Sequence, residues 1–252
     1  MTEVHVQRPV LMGLVMKAYR AQDFLLTVAR DPEMISESFL RLRVRIPGML
    51  SSNTVAPAMY VRLWFDKDGR GHQRAYTITE PDPDTDECTL AVALHDGTAA
   101  RWMQQARRGD QRECTLLGRG FVQTPLPHER YVAVADMASL AALGDVLHSL
   151  DERPAHVILE QQRDADADVE IPARSQDTVQ VVRRRDGDAP SSAVLEAFDQ
   201  LDLDGAALWT GIDSRTTRAV VQRARAAGVS RKAIDAIAYW VPKRMPTPVS
   251  GS

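Results

Sequence analysis

Little in this sequence is extreme, and each shortage removes a class of answer. Of its 252 residues only two are cysteine, Cys88 and Cys114. Two thiols cannot build a disulfide framework, and their spacing is not that of a metal site. Set among apolar neighbours, they read as buried structural thiols. No apolar run approaches the length of a bilayer span and the N-terminus lacks a signal-peptide pattern, so a cytoplasmic protein is expected. Charge of one sign is not in excess: 31 Lys and Arg against 34 Asp and Glu leave a net charge of -3, which argues against nucleic acid or an anionic membrane as a partner. The Walker, Gly-x-Ser-x-Gly, His-Glu-x-x-His and Gly-x-Gly-x-x-Gly patterns are all missing. Asp164, Asp166 and Asp168 have the spacing of a calcium loop, but Val169 stands where glycine is needed and no Glu closes the loop, so no metal site is expected.

What is present is a change of rhythm partway along the chain. In the first half, short alternating runs follow one another. Leu40, Leu42, Val44 and Ile46 alternate with Arg41, Arg43 and Arg45, giving one buried and one wet face. Similar strands are expected at 24–29, 59–65, 74–79, 89–95 and 114–117, with a turn over 80–87 and one late helix over 98–107 stopped by Gly109. Several strands without strand–helix alternation predict a six-stranded antiparallel barrel. After Pro125 the pattern becomes strand, helix, strand: 131–135, 139–150, 155–160, 178–183, 191–201, 206–210, 215–227 and 237–241. That alternation predicts an open parallel α/β sheet. The organisation expected is therefore a leader over 1–21, a barrel domain over 22–125, an α/β domain over 126–245 and a disordered tail over 246–252.

The stretch with the most chemistry is Arg74-Ala75-Tyr76-Thr77-Ile78-Thr79. Arg74, Tyr76 and Ile78 share one face of a strand, and Ala75, Thr77 and Thr79 the other. A forked cation, an aromatic face and a hydroxyl within four residues suit a flat, phosphate-bearing ligand. The same residues would equally serve an ordinary strand with Tyr and Ile packed and Arg and Thr in water. A second candidate is Gly97-Thr98-Ala99-Ala100. Glycine and small residues opening a helix leave backbone N–H groups free at the positive end of the helix dipole, a generic diphosphate cradle. The plain alternative is a common loop-to-helix start. The run Arg183-Arg184-Arg185 reads as a solvated surface cluster.

In order and spacing these stretches resemble the siderophore-interacting proteins, a branch of the ferredoxin-reductase-like flavoproteins. Gln73-Arg74-Ala75-Tyr76-Thr77-Ile78 resembles the family's flavin-binding signature. His95-Asp96-Gly97-Thr98-Ala99-Ala100-Arg101-Trp102 is similar to its His…Gly-Pro-Ala-x-x-Trp segment, with Thr98 in place of Pro. Gly109-Asp110 and Gly118-Arg119-Gly120 match its Gly-Asp…Gly-x-x-Gly stretch, and Tyr239-Trp240 its terminal Tyr-Trp. The resemblance covers roughly residues 22–244 and is nearest to the siderophore-interaction domain fused to some iron-importing ABC transporters. It implies FAD held by Arg74, Ala75, Tyr76, Thr77, His95, Gly97, Thr98, Ala99, Ala100 and Trp102. It implies a ferric siderophore near Tyr239, Trp240, Lys243 and Arg244, with no catalytic acid or base, and electrons from NADH, NADPH or a ferredoxin.

The chain departs from the family where a nicotinamide nucleotide would dock. Ala135-Asp136-Met137-Ala138-Ser139 replaces Gly-Asp-Glu-Thr-Ala, and Trp209-Thr210-Gly211-Ile212-Asp213 lacks the Glu of Trp-x-x-Gly-Glu. Asp136 reads as a helix cap. A second expectation therefore stands beside the first: a redox-silent member of the fold, either a biosynthetic enzyme such as a cyclase acting on an intermediate or a ligand-binding protein, with its flavin structural or absent.

Overall fold

A computed structural model describes residues 21–67, 70–116 and 128–242. The chain divides into two compact units. Among the described residues, the first takes in those up to Leu116 together with Leu140–Asp151 and Arg163–Pro172, and the second takes in the rest. The expected boundary at 125/126 lies outside the described residues. Because two later segments group with the first unit, the divide is not a single cut in the sequence.

The first unit is built on β1 (Gln22–Val28), β2 (Glu33–Ser36), β3 (Phe39–Arg45), β4 (Tyr60–Lys67), β5 (Arg70–Asp82), β6 (Glu87–Ala93) and β7 (Gln111–Leu116). Six of these pair antiparallel in the order β1-β7-β4-β5-β6-β3. Pairing of Thr27 with Arg45 and Val28 with Val44 closes them into a barrel, and β2 hangs from β3 as an extra hairpin strand. The alternation read from β3 is realised: Leu40, Leu42, Val44 and Ile46 lie in the core, while Arg43 bonds Glu87, Arg41 pairs with Glu80, and Arg45 reaches the Thr85 carbonyl. Cys88 and Cys114 are both fully buried in that core.

Two details escaped the sequence reading. β2 is too short and polar to show a period. β5 runs on to Asp82 where a turn from residue 80 is expected, because the ladder shifts register between Thr79 and Asp82 and Glu80 takes a positive φ. The bulge re-aims Glu80 towards Arg41, Arg43 and the Thr89 hydroxyl. Helix α1 (Thr98–Gln105) follows β6 and buries Ala99, Ala100 and Met103. Helix α2 (Leu140–His148) rests on β5 in this unit. Its Asp145 accepts the Ala58 N–H, and Asp166, in the segment that carried the calcium-like spacing, accepts from the Ser38 hydroxyl at 2.6 Å.

The second unit is a five-stranded parallel sheet ordered β10-β9-β8-β11-β12. Its strands are β8 (Arg130–Asp136), β9 (Ala155–Gln161), β10 (Thr178–Arg183), β11 (Ala206–Asp213) and β12 (Ile234–Trp240). Central β8 and β11 are almost continuously apolar and buried, as strands covered on both faces must be. Helix α3 (Ser192–Phe198) packs on β9 and β10, and α4 (Ser214–Ala226) on β11 and β12. Chain order reverses direction between β8 and β11, which makes that gap the sheet's switch point.

Candidate flavin site

In the barrel unit the antiparallel ladder sets Arg74 opposite Leu63, Tyr76 opposite Val61 and His72 opposite Phe65. Leu63, Val61 and Phe65 point into the core, so Arg74 and Tyr76 lie on the core-facing side of β5, as does the buried Ile78. Tyr76 is half-buried against that core. Burial lifts its phenol above the ordinary value, with the Arg74 guanidinium pulling the other way. Arg74 itself is exposed, and its one hydrogen bond among the described residues runs to the neighbouring Gln73 carbonyl at 2.8 Å. A guanidinium held only by a local carbonyl keeps most of its fork for a ligand. On the other face Ala75 is exposed and Thr77 is buried.

β6 runs antiparallel to β5, so the chain after Leu90 passes back along the β5 residues that precede Ile78. It ends in His95, Asp96 and Gly97. Gly97 opens α1 with no side-chain cap and no acidic residue in the first turn. Its own N–H is turned back onto the His95 carbonyl at 2.8 Å. A Cβ at Gly97 would fall 2.4 Å from the exposed His95 ring, so any larger residue requires that ring to move. The first turn of α1 carries no competing side-chain cap or carboxylate of its own, and its Ala99 and Ala100 are buried. This is the composition an anion cradle requires.

Trp102 of α1 belongs to a contact cluster that no local sequence pattern announces. Half-buried Trp102 meets the Phe65 ring edge-on at 6.0 Å, and His72 lies 6.0 Å from Phe65. Arg112 stacks 4.6 Å from the Trp102 ring centre and 5.4 Å from that of Phe65. The desolvation lowers the Arg112 pKa. Phe65 and His72 are opposed across the β4–β5 hairpin, whereas Arg112 is brought in by β7, a strand distant in sequence that pairs with β4.

The predicted substrate residues fall elsewhere. Lys243 and Arg244 lie outside the described residues, as does Gly118-Arg119-Gly120. Tyr239 and Trp240 belong to β12 of the second unit. The Tyr239 ring and that of Trp209 close over Gly211, each 2.8 Å from where a Cβ would stand. Trp240 donates its indole N–H to Asp136 at 2.6 Å. Arg184, expected on the surface, is mostly buried between Glu160 and Asp213; its neighbour Arg185 is the exposed one, paired with Glu196. The periodicity of β10 ends at Arg183, so three consecutive arginines gave no sign that the middle one turns inward.

A closed six-stranded barrel followed by a parallel five-stranded sheet is the architecture of the ferredoxin-reductase-like proteins. It is shared, for example, with the Amycolatopsis cytochrome P450 reductase GcoB, at a TM-score of 0.67 and 17% identity over 87% of this chain and 70% of that one. Residues 43–117 match the siderophore-interacting FAD-binding domain, and residues 128–243 match the siderophore-interacting protein model. The chain belongs to the siderophore-interacting protein family. A siderophore utilization protein from T. fusca superposes with a TM-score of 0.75 at 20% identity, covering 90% of this chain and 95% of that one. SipS from Aeromonas hydrophila gives 0.71 at 20% identity, covering 88% and 99%. In sequence the chain is similar to the mycobactin import ATP-binding/permease protein IrtA of Mycolicibacterium thermoresistibile, 31% identical over 92% of this chain and 26% of that protein. For the Mycobacterium tuberculosis protein the figures are 28%, 91% and 27%. This chain thus spans about a quarter of the length of these curated relatives.

Proposed function

We propose that the protein binds FAD in the barrel unit and reduces a ferric siderophore, releasing iron(II). The observation that carries this reading is the presence, in one barrel unit, of an uncapped α1 start at Gly97 and an exposed Arg74. One would hold a diphosphate through backbone N–H groups and the other through its guanidinium. Tyr76 offers the isoalloxazine an aromatic face, Thr77 and Ala75 line the strand edge, and His95, Thr98, Ala99, Ala100 and Trp102 complete the cradle. When bound, a flavin supplies the conversion of a two-electron donor into the one-electron steps that iron(III) needs. The residues of the chain then have only to bind, orient and admit the chelate. No general acid or base is required, because hard oxygen chelators hold iron(II) far less tightly than iron(III). Tyr239, Trp240, Lys243 and Arg244 are the proposed siderophore contacts, and NADH, NADPH and a ferredoxin are the candidate donors.

The test is anaerobic. Purified protein loaded with FAD should be yellow, should bleach with a competent donor, and should recover its colour on addition of a ferric chelate. Absence of reoxidation by any ferric siderophore, with FAD demonstrably bound, removes the reductase reading. It would favour instead a redox-silent role as a cyclase-like biosynthetic enzyme or a binding protein, a reading that the departures at Ala135, Met137 and Asp213 support.

A further inference from the structure

The second unit treats anions in the opposite way from the first. In an open parallel sheet, a dinucleotide docks beyond the carboxyl ends of the strands at the switch point, with its phosphates on the N–H groups of the βα turns. Here the switch-point strands are β8 and β11, and both end in aspartate. The Asp136 carboxylate, fully buried, accepts the Ala138 N–H at 2.9 Å, and the Ser139 hydroxyl closes the rest of that turn on the Asp136 backbone. The Asp213 carboxylate, also fully buried, accepts the Arg215 and Thr216 N–H groups at 2.9 and 3.0 Å, and the Thr216 hydroxyl at 2.5 Å. The N–H groups that a phosphate would use are therefore already engaged.

The remaining parts of a nucleotide site are also committed inward. Glu160, next to last in β9, is a third fully buried carboxyl group. Arg184, the cation nearest in this cluster, donates to Glu160 at 2.6 Å and to Asp213 at 2.5 Å, and its last nitrogen reaches the Asp188 carbonyl. Its guanidinium lies 5.1 Å from the Trp240 ring centre, and Trp240 is tied to Asp136. Gly211, the glycine of β11, is roofed by Trp209 and Tyr239, so its missing side chain serves ring packing and not ligand approach. Three carboxyl groups face one guanidinium, and a diphosphate would have to displace two caps and strip Arg184 of both its partners.

We propose that the carboxyl edge of this sheet takes no nicotinamide dinucleotide, its phosphate positions being filled by Asp136 and Asp213 and its cation consumed by Glu160 and Asp213. Together with the flavin reading, on which this last step rests, it follows that the flavin receives electrons from a carrier that needs no phosphate site on the sheet, such as a reduced iron–sulfur protein. The test uses the FAD-loaded chain. NADH and NADPH are titrated separately into it and followed by nucleotide fluorescence and equilibrium dialysis, and each is then mixed anaerobically with it and compared with dithionite. The expected result is no saturable binding into the millimolar range, and flavin bleached by dithionite but by neither nucleotide faster than free FAD is. Saturable binding of either nucleotide by the FAD-loaded chain below the millimolar range overturns the proposal, as does rapid bleaching by either. Failure of the flavin reading is seen separately, as absence of protein-bound FAD absorbance before any nucleotide is added.

Discussion

Arg74 and Gly97 are the residues on which the flavin reading can be broken without breaking the protein. Arg74 is exposed and its side chain returns only to Gln73, so Arg74→Ala should leave the far-ultraviolet spectrum and melting temperature of the FAD-free chain unchanged. It should weaken FAD roughly ten- to hundredfold, the value of one charge-assisted contact, as measured by flavin fluorescence titration. Gly97→Ala would thrust a methyl into the His95 ring. Because the exposed His95 ring can turn aside, FAD should weaken less than in Arg74→Ala, with the far-ultraviolet spectrum of the FAD-free chain unchanged.

At the scale of an element, the carboxyl ends of the parallel strands form one coupled cluster with a defined response to pH. Burial pushes the Asp136 carboxyl up to about 7, and the nearby Glu160 carboxylate adds to this against the hydrogen bond from Trp240 and the charge of Arg184. Burial raises Glu160 in the same sense. For Asp213 the hydrogen bonds from Thr216 and Arg184 outweigh burial and hold it below its usual range. Between about pH 4 and about pH 7 the folded chain keeps the Asp136 proton that the unfolded chain has released. This contribution to stability is full at the acid end and is lost as pH rises to 7. Asp136→Asn should flatten the fall in melting temperature between about pH 4 and about pH 7. In the same cluster Arg184→Met strands two buried carboxylates and should cost about 3–5 kcal/mol in denaturant unfolding. Arg185→Met breaks an exposed pair with Glu196 and an exposed bond to the Ser192 hydroxyl, and should cost under about 1 kcal/mol. Two adjacent arginines with such different roles show where sequence legibility ends. The alternation of β3, the apolar runs of β8 and β11, and the Arg74–Thr77 strand are all local signals, and all were readable. The Arg112–Trp102–Phe65 stack and the inward turn of Arg184 depend on strands distant in sequence, and no window contains them.

For the whole molecule, ligand binding and thiol protection can be read together. Cys88 and Cys114 lie in the barrel core, where burial pushes both thiols up to about 12, with the charges of Arg43, for Cys88, and of Asp23, for Cys114, as smaller influences. At neutral pH they should label only when the barrel opens. FAD at about a hundred times its dissociation constant should stabilise the barrel by about 2.7 kcal/mol and slow labelling about a hundredfold, provided that opening releases the flavin. In the Arg74→Ala chain the same FAD concentration should slow it far less. The two units also differ in how they end. The barrel closes on itself, whereas the parallel sheet stops at β10, whose outward Thr178-Val179-Gln180-Val181-Val182-Arg183 ladder leaves Val181 46% exposed. An unfinished, β-branched margin of this kind templates fibrillar stacking between molecules, and the guanidinium groups at its end act as gatekeepers against it. Overconcentrated or long-stored preparations should therefore seed from that margin, and neutral substitution of Arg183 and Arg185 should shorten the lag before thioflavin-positive material appears.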